Sequence, residues 1–311
     1  MTHYLVLGAG GMLGRKLVAA LTGKLTLHDI VPPPAPPGAE VSSSDLSQPG
    51  EAERLVAGRP DVIYHLAAIV SGEAEADFEK GYRVNLDGTR HLLEAIRKVG
   101  GGYRPRLVFT SSLAVFGAPF PASIPDDFNL TPLSSYGTQK AIGELLVADY
   151  TRRGFIDGVG IRLPTICIRP GKPNKAASGF FSGILREPLN GMEAVLPVPE
   201  TVRHWFASPR AAIGYLLHAG AMDTAALGGR RNLTMPGISA TVADEIEALR
   251  RAAGDAAVAL IRRVADPAVL AIVETWPERF DCTQALALGF KGDADFDEIV
   301  RIYQTDELAA G

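Results

Sequence analysis

Through its first half the chain alternates short, continuous apolar runs with segments whose apolar positions recur at helical spacing. The run "YLVLG" at residues 4–8 has the length and uniform apolarity of a parallel strand buried on both faces. It leads into "GRKLVAALTG", apolar at helical spacing and stopped by a glycine, and then into a second strand, "LTLHDI". The prolines at 32–37 can continue neither element, because proline fixes φ and lacks an N–H, so they predict a surface connection. Strands are predicted again in "DVIYHLAAI" and "RLVFTSS", with the helix "VNLDGTRHLLEAIRKVG" between them. A further helix begins near Tyr136, and "GVGIRLPTICIRP" reads as the next strand. Strand and helix alternating this regularly predict right-handed crossovers and an open parallel sheet wound on both faces.

After Leu163 the rhythm breaks. The segment "RPGKPNKAASGFFSGILREPLNG" is rich in proline, glycine and basic residues, which suits a ligand-facing stretch better than a core strand. "RHWFASPRAAIGYLLHAGAM" predicts a loop entering a helix, "RRNLTMPG" a late strand, and the tail is largely helical. The expected division is a nucleotide-binding domain over 1–166 with a return segment at about 205–236. A smaller, mixed substrate-binding domain would take 167–204 and 237–311.

Composition narrows the class. The charge is nearly balanced, net −4 over 311 residues, which argues against a nucleic-acid partner. The two cysteines, Cys167 and Cys282, are far apart and lack metal-type spacing, so reduced core thiols and no metal site are expected. The N-terminus reads as a strand running into a glycine turn rather than a signal peptide. No apolar run approaches the ~18 residues of a membrane span. A cytoplasmic α/β protein without a membrane partner is the expectation.

Candidate chemistry starts at "GAGGMLG", which sets Gly8, Gly11 and Gly14 between a strand and a helix. One glycine permits the tight turn, a second lets a pyrophosphate approach the main chain, and a third lets helix and strand pack closely. The helix N-terminus behind them offers N–H groups to an anion. This predicts a Rossmann-type doubly wound parallel sheet that binds a dinucleotide. Asp29, ending the second strand, is placed to accept hydrogen bonds from the adenosine ribose and to repel a 2′-phosphate, which favours NAD over NADP. Asp45 could reach the adenine amino group or cap a helix; the sequence supports both roles.

Ser111 and Ser112 end the strand "RLVFTSS", and Tyr136 and Lys140 follow at i and i+4 of a predicted helix, on one face. An ammonium beside a phenol lowers the phenol's pKa, so Tyr136 can serve as a general base towards an alcohol. A serine hydroxyl at the strand's C-terminal end can hold the same oxygen.

The glycine turn, "HLAA" at 65–68, "NLDGT", "SSLAVFG" and "YGTQK" together resemble the extended short-chain dehydrogenase/reductase superfamily of NAD-dependent epimerases and dehydratases. The resemblance covers the whole chain. It implies Ser112 as the group polarising the substrate oxygen, Tyr136 as acid/base and Lys140 as ligand of the cofactor ribose. It implies a cofactor cleft lined by Met12 and Leu13 of the glycine turn, Leu46, Leu66, Ala67, Ala68, Pro164 and Thr165, with Asn85 bracing the sheet or the cofactor site. Phe116 departs from the pattern, since many relatives carry tyrosine there; this argues mildly against a sugar-nucleotide substrate.

Segments such as "LPVPETVRHWFASPRAAIGYLLHA" carry a closer likeness to members that oxidise the C2 hydroxyl of a four-carbon sugar acid with NAD. Such a substrate needs a cation for its carboxylate, and arginine's planar fork suits that task. Arg169, Lys172, Asn174, Lys175, Ser178 and Arg203 are available, with Arg203 and Asn174 the first choices. His204 reads either as a substrate donor or as a boundary histidine. A homodimer is implied as well, paired through the helices that begin near Asn85 and Tyr136. The alternatives are a sugar-nucleotide epimerase and a non-catalytic dinucleotide-binding sensor. A dehydratase is disfavoured because residues 111–113 offer no acidic side chain.

Overall fold

The computed structural model describes residues 1–171 and 178–308, so the predicted ligand Asn174, with Lys172 and Lys175, lies outside the described residues. The chain divides into two compact units, which are considered separately. The first comprises Met1–Val115, Leu130–Leu163 and Ile213–Leu233. Its strands are β1 (His3–Leu7), β2 (Lys24–Asp29), β3 (Glu40–Ser43), β4 (Val62–His65), β5 (Arg106–Ser112) and β6 (Asp157–Leu163). Strands β7 (Thr165–Ile166), β8 (Ala194–Leu196) and β9 (Arg203–Ala207) follow in the second unit. The chain then makes β10 (Asn232–Thr234), β11 (Ile238–Thr241) and β12 (Ile261–Arg263).

Seven strands form one sheet in the order β10-β6-β5-β4-β1-β2-β3, and β1 to β6 all pair in parallel. The order steps outward from β1 in both directions, as a doubly wound sheet requires. Leu5, Leu7, Ile63, Leu107 and Phe109 pack under Leu92, Leu93 and Ile96 of the helix Gly88–Val99. That helix has basic residues in its last turn and ends at Gly100, whose φ of +61° suits glycine. The hydrophobic pattern does not predict β3. It is an edge strand with a single apolar residue, the exposed Val41, so no hydrophobic run announces it.

The second unit comprises Phe116–Asn129, Pro164–Ala212 and Thr234–Gly311. Where a loop was expected at 203–207, the structure has strand β9, antiparallel to β11 and parallel to β7. His204 and Phe206 are buried together on this strand. Its core gathers Phe181, Ile184, Phe206, Ile246, Leu249 and Ile299. Among the described residues, no helix is long and apolar enough to cross a membrane.

Candidate active site

The glycine turn leaves β1 at Gly8, whose φ is +86°. A Cβ there would stand 2.7 Å from the Ala67 nitrogen, and one on Gly14 would stand 2.1 Å from the Gly8 oxygen. Side chains are therefore excluded where the backbone must fold close to itself. The helix Met12–Ala20 starts at Gly11 with no side-chain cap and no acidic residue in its first turn, among the described residues. Its first N–H groups are thus left for an anion, and the cradle fits a dinucleotide pyrophosphate.

Asp29 already serves this turn. One carboxylate oxygen accepts from the Gly10 N–H at 2.8 Å and the other from Ile30 at 2.7 Å. Asp45 does not cap a helix: the next one, Glu51–Val56, begins after Gly50. Its carboxylate accepts from the Ser47 N–H at 3.0 Å and hydroxyl at 2.6 Å, and pairs with Arg83. Burial pushes its pKa up, but these bonds outweigh it and the net shift is downward. Arg83 went unread because a lone arginine in a helical pattern carries no signal of its own.

The helix Ser135–Arg152 is capped by the Ser134 hydroxyl, which accepts from the Gly137 N–H at 3.1 Å. Two glycines let it lie against β5. A Cβ on Gly137 would come within 2.1 Å of the Ala114 oxygen, and one on Gly143 within 2.6 Å of the Phe109 ring. This close approach brings Ser112, Tyr136 and Lys140 together. The Ser112 hydroxyl bonds the Tyr136 phenol and also accepts from the Ala114 N–H at 3.2 Å. Lys140 donates to the Thr110 oxygen at 2.8 Å, with its ammonium 5.0 Å from the Phe109 ring and 5.7 Å from the Tyr136 ring.

The electrostatics differ from the simple expectation. Burial pushes Tyr136 up to about 12, against the lowering effect of its bond to Ser112, and the Lys140 ammonium stands beside its ring. Lys140 is itself buried, which brings it down to about 8 against the raising influence of Glu144, and its bond goes to a backbone carbonyl. Ser111 faces away from Ser112's task, because its hydroxyl donates to Glu144 at 2.5 Å.

Asn85 accepts from the Ile69 N–H at 2.9 Å and donates to the Ile69 oxygen at 3.2 Å and to Gln139 at 2.8 Å. It thereby ties the segment after β4, which carries Leu66, Ala67 and Ala68, to the helix bearing Tyr136. Leu46 is buried in the core of the first unit.

The remaining predicted residues fall in the second unit. Thr165 bonds the His204 Nε2 at 2.7 Å, and His204 stacks on Phe181 at 5.3 Å. His204 is a core residue; burial lowers its pKa to about 3, so it stays neutral. Arg203 donates to the Ser239 oxygen at 3.1 Å across the strand pair. Ser178 accepts from Arg169 through its oxygen at 3.0 Å and its hydroxyl at 3.2 Å. Phe116 is packed against Phe128 and Phe280. A cavity of about 430 Å³ in this unit is lined by Trp205, Pro236, Phe280 and Cys282 among others, and by none of the predicted site residues.

A dinucleotide cradle and a Ser–Tyr–Lys set on one doubly wound sheet define a nucleotide-dependent enzyme acting at an alcohol carbon. The chain matches the NAD dependent epimerase/dehydratase family over residues 4–206 and belongs to it. It is 46% identical to the D-erythronate dehydrogenase of Cupriavidus necator over 320 residues, covering 98% of each chain. It is 43% identical to that of Haemophilus influenzae over 306 residues, covering 95% of this chain and 96% of the relative. The crystal structure of a nucleoside-diphosphate-sugar epimerase from Agrobacterium tumefaciens superposes with a TM-score of 0.97 at 58% identity, covering 100% of this chain and 95% of that one.

Proposed function

We propose that this protein is an NAD-dependent dehydrogenase that oxidises the C2 hydroxyl of D-erythronate to 2-dehydro-D-erythronate. The observation that carries this reading is full-length likeness to two D-erythronate dehydrogenases, joined to a set in which Ser112 ends β5 and Tyr136 and Lys140 share the glycine-faced helix packed against it. Gly8, Gly11, Met12, Leu13 and Gly14 hold the pyrophosphate, Asp29 the adenosine ribose, and Lys140 the nicotinamide ribose. When bound, NAD supplies the two-electron acceptor. The C2 hydrogen leaves as hydride and the hydroxyl proton passes to Tyr136, so the alcohol becomes a ketone. Ser112 holds the substrate oxygen as its bond order rises. Ser178 and Arg203 remain our candidates for the rest of the sugar acid, with Asn174.

A sugar-nucleotide epimerase is the competing reading, since the Agrobacterium structure carries that description. Incubation of purified protein with NAD and D-erythronate separates the two. Growth of the reduced-cofactor absorbance supports the dehydrogenase. Silence with four- and five-carbon aldonates, alongside turnover of a nucleotide sugar without net cofactor reduction, would establish the epimerase. We also read the protein as a cytoplasmic homodimer, with the exposed Leu145 on the helix Ser135–Arg152 at the pairing face. A monomeric mass by light scattering would refute the pairing.

A further inference from the structure

On the helix Ser135–Arg152, Tyr136, Lys140 and Glu144 follow one another at four-residue steps and so share a face. Glu144, at the inner end, is 1% exposed. One carboxylate oxygen accepts from the Ser111 hydroxyl at 2.5 Å and from the Arg162 Nε at 2.9 Å. The other accepts from the Arg162 Nη2 at 2.8 Å. Arg162 lies on β6 directly opposite Ser111 of β5 in the strand register, so a single carboxylate fixes two strands and the helix. A buried ion pair is seldom more stabilising than apolar residues of the same volume. Packing alone therefore gives no reason for this one.

The surroundings of Lys140 supply a reason. Strand β5 presents it with the Thr110 carbonyl and the Phe109 ring, its own helix with the Tyr136 ring and Glu144, and β4 with His65. His65 is neutral, since burial and then Lys140 lower its pKa to about 3. Arg162 adds positive charge beyond Glu144. Among the described residues, Glu144 is the anion acting on Lys140.

We propose that Glu144, clamped by Arg162 and Ser111, is a positioning residue that keeps Lys140 in its ammonium form and so sets the pH range in which Tyr136 acts as base. The inference rests on the reading of Tyr136 as general base. Burial works against the ammonium, and a fixed carboxylate one helical turn away offsets part of that penalty. Ser111 and Arg162 hold the carboxylate ionised and aimed.

The test follows the ionisation of Tyr136 in the NAD-loaded protein, read as the ultraviolet phenolate band after subtraction of Tyr136→Phe, beside the pH profile of kcat with D-erythronate. Glu144→Gln preserves shape and one of the two acceptor oxygens but removes the charge. Its phenolate limb should move up by about one pH unit, and kcat on the acid side of the limb should fall about tenfold. Glu144→Asp, which keeps the charge, should recover most of the shift. Glu144→Gln combined with Arg162→Met leaves no unpaired buried cation. It should move the limb in the same direction if the single variant fails to fold. An unmoved limb in a folded Glu144→Gln or double variant overturns the proposal. A moved limb without turnover of D-erythronate supports it and overturns only the substrate.

Discussion

Asn85 donates its carboxamide N–H to the carboxamide oxygen of Gln139 at 2.8 Å, and both side chains are buried. Gln139 is the residue before Lys140, while Asn85 sits in a π-helical turn, Tyr82–Asp87, and bonds both backbone groups of Ile69. The pair therefore couples the segment proposed to line the cofactor cleft to the helix that carries the proposed acid/base group, Tyr136. Gly81 is part of the same arrangement, because a Cβ there would stand 2.7 Å from the Gln139 Nε2.

Replacing Asn85 by Ala should let the Ile69 segment and the helix drift independently. Displacements of an ångström at a reacting centre cost up to about 100-fold in rate, so kcat should fall by at least about tenfold. Affinity for NAD should weaken with it, measured by quenching of protein fluorescence. A variant that loses thermal stability but keeps both constants would show the pair to be scaffolding only.

The glycine turn makes a graded prediction. Gly14→Ala places a methyl 2.1 Å from a backbone oxygen, where relief requires moving the helix Met12–Ala20 off β1. Overpacking of this kind costs about 1–3 kcal/mol, and the cofactor cradle should be lost with it. Gly10→Ala meets no backbone, only the Asp29 carboxylate at 3.1 Å and the Pro33 side chain at an ordinary 3.7 Å, and a side chain can give way. Calorimetric titration with NAD should therefore find binding abolished at Gly14 and merely weakened at Gly10. Equal effects at the two positions would contradict the geometry.

Tyr136→Phe removes the proposed proton acceptor while leaving the ring and its helix in place. Loss of a general base typically costs about 10²–10⁴ in rate. Turnover should fall within that range, with NAD affinity kept within a few-fold of the parent. A sensor without catalysis would instead retain its response to the dinucleotide.

Much of the sheet and of the candidate catalytic set was legible because each rests on local pattern. A buried parallel strand is a continuous apolar run, a glycine turn has fixed spacing, and Tyr136 and Lys140 share a face through helical period alone. What stayed hidden depends on partners distant in sequence. Glu144 looks like a solvated helix residue until Arg162 and Ser111 are seen around it. Gly137 and Gly143 read as weak helix residues, and only the backbone of Ala114 and the ring of Phe109 explain them. His204 reads as a substrate donor or a boundary histidine rather than a core residue, because burial is not written in residue type.

Glu245 gives a prediction that turns on pH. It is fully buried on the helix Val242–Val258 beside Ile246 and Leu249, and neither carboxylate oxygen finds a partner among the described residues. Burial, and then the negative Asp244, raise its pKa well above the ordinary value. The native state thus holds this proton at pH values where the unfolded chain, near its usual ~4.3, has released it. Stability from the bound proton is fully present below the unfolded pKa and is lost as pH rises through the native one. Glu245→Gln carries no such proton, so its stability relative to the parent should climb with pH. Each unit by which the native pKa is raised corresponds to about 1.4 kcal/mol. Urea unfolding at about pH 5 and about pH 8 should show the variant gaining on the parent at the higher value. A difference that stays constant between the two would mean that Glu245 is paired or solvated in solution.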